Sequence, residues 1–222
     1  MTDLLIRPVS EGPPRTVYAA DSPIDFATWL EIAENLDTEL IHGVMVDRMA
    51  TQYPHEWIFM WLASILRSYT RHLGLGVILG SRTAVKISEF DGRLPDLLFV
   101  RKENEAIIQR DAIYGVPDLV IEIVSPNDRP SHLIPLETDY RTLGVPEIVF
   151  IDPQKKRVRI VSKTEAGYDE RTLTEGRLEL ASVPGFWLEV AWLFAETQPD
   201  ELTTSLQLVR EAEAAKQKEH EP

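Results

Sequence analysis

Glu122 is the lone charge in the run Leu119-Val-Ile-Glu-Ile-Val124. Side chains alternate along a strand, so Val120, Glu122 and Val124 share one face, and Leu119, Ile121 and Ile123 share the other. With apolar residues on both faces, the strand reads as buried on both sides. An uncompensated buried charge is expensive, so Glu122 must be protonated, paired with an arginine in a structural ion pair, or coordinated to a cation. Asp96 is a second acid of this kind. It follows Pro95 and opens Leu97-Leu-Phe-Val100, a strand able to lie beside that of Glu122. Pro-Asp ahead of a strand is by itself a turn signal, and the neighbouring acid is what gives it weight. Glu39, on the first strand of an early hairpin, would bring a third carboxylate. Such an oxygen-rich site suits Mg²⁺ or Mn²⁺, and a cation there can polarise a phosphodiester and activate water.

The elements that must position these acids follow from periodicity. Residues 1–24, with Pro8, Pro13, Pro14 and Pro23, read as an extended N-terminal arm. A short helix capped by Ser22 or Asp25 follows, with Phe26, Trp29 and Leu30 on one stripe. Glu39-Leu-Ile and Val44 to Met49 form a hairpin around His42-Gly43. Ile58, Leu62, Ile65, Leu66 and Tyr69 recur at helical spacing, predicting the longest helix of the core from His55 to His72. Val77 to Leu79, Thr83 to Ile87 and Leu97 to Val100 read as antiparallel strands, with a turn at Phe90-Asp-Gly-Arg93, and Asn104 to Ile113 as a short surface helix. The strand of Glu122, a helix over Ser131 to Leu143 and the apolar run Glu147-Ile-Val-Phe-Ile-Asp152 predict a strand, helix, strand crossover with parallel strands. Short antiparallel strands follow to residue 195, and 196–222 reads as an acidic, partly helical tail.

Composition narrows the chemistry. The 222 residues are 44% apolar and 27% charged, enough for one domain with a sizeable core. There is no cysteine, which excludes disulfides, thiolate zinc sites, iron–sulfur clusters and cysteine nucleophiles. A formal net charge of −13 argues against coating nucleic acid by general attraction to phosphate. No apolar run reaches membrane-spanning length and none follows a basic start, so the expectation is a cytoplasmic protein. Ser125-Pro126 has no nucleophile elbow around it. The five tryptophans are not interleaved with Lys and Arg, and read as core or interface aromatics. Lys155-Lys156-Arg157 reads as a hairpin tip.

The order of Glu39-Leu-Ile-His-Gly43, His55 opening a long helix, Pro95-Asp96-Leu-Leu-Phe-Val100, Asp118-Leu-Val-Ile-Glu122-Ile-Val-Ser-Pro126, Tyr140 with Gly144-Val-Pro-Glu147, and Val149-Phe-Ile-Asp152-Pro153 resembles the Uma-type restriction endonuclease family. That family looks like part of the PD-(D/E)XK nuclease superfamily. The resemblance spans residues 25 to 194 or so, and implies a restriction-endonuclease-like domain over 25–195: an α/β (α+β) fold with a mixed β-sheet flanked by helices, and extra antiparallel strands near the C-terminus. It further implies Asp96, Glu122 and Glu39 as catalytic and metal-binding acids, Mg²⁺ or Mn²⁺ as cofactor and DNA as substrate. The superfamily pattern places a lysine where Val124 stands. The Uma-type family places it four residues before the tyrosine, where this chain has Leu136, and an acid four residues earlier, where it has His132. A leucine neither positions water nor stabilises developing charge. Arg129, His132, Lys86 and Arg82 are the substitutes to look for. Two functions are therefore expected to compete: a metal-dependent DNA endonuclease, and a catalytically inactive nuclease-like binding or assembly protein, homodimeric, with the acidic tail as an interaction segment.

Overall fold

The computed structural model describes residues 7–10, 16–33, 37–48, 51–80, 82–126, 128 and 130–219. Its centre is a six-stranded mixed sheet. Strands β9 (Leu119–Ile123) and β10 (Glu147–Asp152) run parallel, and helix α3 (Pro130–Leu143) connects them. On one side lie β8 (Leu97–Arg101) and β5 (Gly76–Gly80), and on the other β11 (Arg157–Thr164) and β12 (Gly167–Leu173), each antiparallel to its neighbour. Parallel strands need a crossover and cannot be joined by a tight turn, which is why an α-helix joins β9 to β10.

The predicted alternation along β9 is realised. Leu119, Ile121 and Ile123 join a core that includes Ile58, Leu62, Ile65 and Leu66 of the long helix α2 (Tyr53–His72). The same core takes in the ribbon of β13 (Arg177–Glu179) and β14 (Trp187–Glu189), the short helix α4 (Val190–Leu193), and Leu208, Val209 and Ala212 of α5 (Glu201–Glu219). Val120 faces the opposite way, into a second core with Tyr140, Ile148 and Phe150. No helix among the described residues is long and apolar enough to cross a membrane.

A second six-stranded sheet holds β1 (Arg7–Ser10), β2 (Val17–Ala19), the hairpin β3 (Thr38–Ile41) and β4 (Val44–Asp47), then β7 (Gly92–Arg93) and β6 (Val85–Lys86). It packs on α1 (Phe26–Ala33) through Trp29, Leu40 and Met45. Asp25 provides the cap of α1, its Oδ1 accepting from Thr28 N at 2.8 Å. Two expectations change here. The strand expected over Thr83 to Ile87 shrinks to β6, which pairs with β7 and not with β5. The helix expected from Asn104 becomes a 3-10 turn, Lys102–Ile107, whose residues are not buried deeply enough to pay for a longer helix.

Candidate active site

Each of the three acids reaches its place by a local rule. Glu122 leaves β9 on the Val120 face, Asp96 precedes β8, which is paired directly with β9, and Glu39 sits on β3 of the second sheet, whose β7 runs three residues ahead of Asp96. All three line one cleft of about 70 Å³, room for a handful of water molecules. Residues His132, Leu133 and Leu136 of α3 form part of the wall.

Asp96 is 3% exposed and fully engaged. Its Oδ2 accepts from Ile123 N at 2.8 Å and lies 3.0 Å from His55 Nε2, and its Oδ1 accepts from Arg48 Nη2 at 3.2 Å. His55 is itself buried, at the start of α2, with Nδ1 3.5 Å from Glu56 Oε1. Burial works against its protonation, but the hydrogen bond and charge of Asp96 prevail and hold its pKa above the ordinary imidazole value. For Arg48, burial is likewise outweighed by Asp96, Glu39 and Glu122, so its charge is secured.

Glu39 is held by different partners. Arg93 Nη1 donates to its Oε2 at 3.0 Å and Leu94 N to its Oε1 at 3.3 Å. The same guanidinium reaches Asp139 Oδ2 of α3, at 2.8 Å from Nε and 2.6 Å from Nη2. One arginine thus ties the second sheet to the crossover helix.

Glu122 is the exception. Among the described residues its one hydrogen bond comes from Tyr140 OH, 2.6 Å from Oε1, and no arginine forms an ion pair with it, although the charge of Arg48 is felt across the cleft. Burial first, then the charge of Asp96, push its carboxyl well above the usual range, against the lowering effect of the tyrosine. Burial and the facing carboxylate raise the Tyr140 phenol well above its ordinary value as well. Oε2 of Glu122 has no hydrogen-bond donor among the described residues.

This donor set can be compared with what Mg²⁺ or Mn²⁺ requires. Mg²⁺ is commonly held by one or two carboxylates with water completing the shell. Glu122, whose Oε2 accepts from no donor among the described residues, fits that pattern, whereas Asp96 beside it would have to give up a donor, since both its oxygens already accept hydrogen bonds. Glu39 has both oxygens occupied, and among the described residues no cluster of three or more His, Asp or Glu side chains is arranged to hold a metal ion. The other buried acids do structural work: Glu147 accepts from Ala181 N and Ser182 N, and Asp118 from Arg101 N and Asn104.

Among the substitutes for the missing lysine, His132 lies on the cleft wall and Arg129 lies outside the described residues. Lys86 sits against the rings of Phe26 and Tyr114 at 5.6 and 5.7 Å, and Arg82 is exposed off the cleft. The cations that do reach the site, Arg48 and Arg93, were not anticipated. Arg93 stands three residues before Asp96, inside a segment that reads as a turn, and Arg48 ends a hairpin strand. Neither position carries a local signal.

A mixed sheet with a single parallel pair, a crossover helix between its strands and further helices on its faces is the architecture of a restriction-endonuclease-like fold. In agreement, the crystal structure of "a putative nuclease belonging to DUF820" from Anabaena variabilis ATCC 29413 shares the fold with a TM-score of 0.61, over 71% of this chain and 89% of that one, at 16% sequence identity. Residues 24–191 match Uma2, the family described as "Putative restriction endonuclease", and the chain belongs to that family. No curated protein matches the sequence.

Proposed function

We propose that the cleft hydrolyses phosphodiester bonds in DNA, with Asp96 and Glu122 holding Mg²⁺ or Mn²⁺ and Glu39 in a supporting position. Glu122 carries this reading: a buried carboxylate beside a second acid, with one oxygen that accepts from no donor among the described residues, has room for a cation as a ligand. When bound, the cation polarises the phosphodiester and makes water a better nucleophile. The remaining roles belong to side chains of this chain. Tyr140 fixes the Glu122 carboxylate through Oε1 and leaves Oε2 for the cation. Ile123 N and His55 fix the rotamer of Asp96. Arg48 takes the part that Leu136 cannot, placing a permanent charge beside Asp96 to stabilise negative charge developing on the phosphate. With Arg93, it also gives a chain of net charge −13 a local positive surface for a polyanion.

A second reading, a catalytically inactive binding or assembly protein, is favoured by one observation. Asp96 is already neutralised by Arg48 and His55, and the facing wall is apolar at Leu133 and Leu136. Incubation with supercoiled plasmid and with single-stranded DNA in Mg²⁺ or Mn²⁺, beside the Asp96→Ala and Glu122→Gln variants, decides between them. Cleavage by the wild type alone supports the nuclease. No cleavage with either metal, or equal cleavage by the variants, overturns it.

A further inference from the structure

Five of the eight exposed large apolar side chains among the described residues belong to α2 and α5: Tyr53, Trp57, Met60, Leu202 and Leu206, with Tyr53 at 70% and Met60 at 62% exposure. On α2 the first three continue into Ser64, Arg67 and Arg71, with spacings of four, three, four, three and four residues. All six are exposed. That spacing is the seam of a helix that packs along another helix. The stripe lies opposite the face that α2 gives to the core, so nothing in the domain explains it.

Its two halves differ in chemistry. The N-terminal half is aromatic and apolar, with Tyr53 and Trp57 stacked at 5.7 Å. The C-terminal half is small and cationic, and neither Arg67 nor Arg71 makes an ion pair or side-chain hydrogen bond among the described residues. Beside this half, Ser64 and Ser68 with Leu202 and Leu206 of α5 line a groove of about 370 Å³.

We propose that this face joins two copies of the chain through an antiparallel pair of α2 helices, with the two-fold axis passing between Met60 and Ser64 on the exposed stripe. In that register Trp57 of one copy meets Arg67 of the other, Tyr53 meets Arg71, and Met60 meets Ser64. Each aromatic half then covers the unpaired guanidinium groups of the opposite copy, a favourable cation–π arrangement, and overlies the groove edged by Leu202 and Leu206. Twenty residues make α2 roughly 30 Å long, and with α5 beside it, at about 10 Å per helix, the face covers roughly 600 Å², against the ~800 Å² per partner of a standard interface. A partner of another kind would have to bring both cations and aromatics in the same order, whereas a second copy supplies them by symmetry. The inference does not depend on the nuclease reading, because none of the six stripe residues lines the cleft.

The absence of cysteine allows a direct test on the full-length chain. Sedimentation velocity on the wild type is expected to give a dimer, and Trp57→Glu or Arg67→Glu with Arg71→Glu a monomer that keeps the native circular dichroism spectrum and a cooperative melt whose midpoint, unlike that of the wild type, does not depend on protein concentration. The register is read by oxidative cross-linking: Met60→Cys protein mixed with Ser64→Cys protein gives a disulfide-linked pair, whereas Met60→Cys mixed with Arg71→Cys does not. A wild type that stays monomeric at high concentration, a dimer that survives Trp57→Glu, or equal cross-linking in both mixtures overturns the proposal.

Discussion

Arg93 is the residue on which the assembly of the cleft most depends, and Arg93→Met measures how much. The substitution keeps most of the aliphatic stem and removes the charge. Two carboxylates lose their partner at once: Glu39, bonded at 3.0 Å, and Asp139, bonded at 2.6–2.8 Å. With side-chain exposures of 3% for Arg93, 8% for Glu39 and 17% for Asp139, water replaces little of what is lost. Breaking a buried pair from one side costs about 3–5 kcal/mol, mostly because a charge is left uncompensated. For a chain of this size that is a fall in Tm of roughly 6–20 °C. Urea unfolding at pH 7, followed by circular dichroism, gives the number. The triple variant Arg93→Met, Glu39→Gln, Asp139→Asn is expected to recover at least half of the loss, since it leaves no unpaired charge. If Arg93→Met unfolds within about 1 kcal/mol of the wild type, or the triple variant is no more stable than the single one, the ion triad is not what clamps β3 to α3. The clamp also bears on chemistry, because Asp139 adjoins Tyr140, whose hydroxyl holds Glu122.

Leu136→Lys returns a cation to the cleft wall and is expected to raise the rate of plasmid cleavage by roughly tenfold or more; an unchanged rate would show that this wall does not limit the reaction. Glu122 makes stability depend on pH in a stated direction. Its folded carboxyl titrates above the unfolded value of 4.5, so the folded state keeps a proton that the unfolded state has released, and stability falls as pH rises through that window. Glu122→Gln is therefore expected to flatten the decline in urea midpoint as pH rises above 4.5 in the presence of a chelator, and a slope equal to that of the wild type would contradict it. Gly92→Ala would place a Cβ 2.6 Å from Trp29 Cζ3 and 2.7 Å from Phe26 Cε2, both ring atoms in the packed core over α1. A loss of about 1–3 kcal/mol is expected from a thermal melt, and an unchanged Tm would mean that α1 can shift to make room.

The particular elements show why some features could be read in the chain and others could not. Glu122 is legible because alternation along β9 and the apolar character of both its faces are local properties, and the structure keeps both. The same holds for α2, whose inward stripe is a matter of 3.6-residue periodicity. Thr83 to Ile87 misleads because a short apolar run says that a strand forms but not which sheet takes it. Asp118, Glu147 and Glu122 look alike in sequence, each an acid at or near an apolar strand. Only their partners separate them: backbone N–H groups for the first two, with Asn104 added at Asp118, and among the described residues a single tyrosine hydroxyl for the third.

The sequence by itself determined most of the strand and helix series, the faces of β9, the absence of thiolate chemistry, and which acids stand on or beside apolar strands, all of which follow from residue type and short-range spacing. Tertiary structure decided the charges around those acids. Arg48 meets Asp96 across 48 residues and Arg93 meets Glu39 across 54, and such contacts depend on how two sheets and a crossover helix stack. Tertiary structure also decided which stripe of α2 was left outside. A periodic pattern marks the face that must be buried, and the opposite stripe acquires meaning only once the fold shows that nothing within the chain covers it.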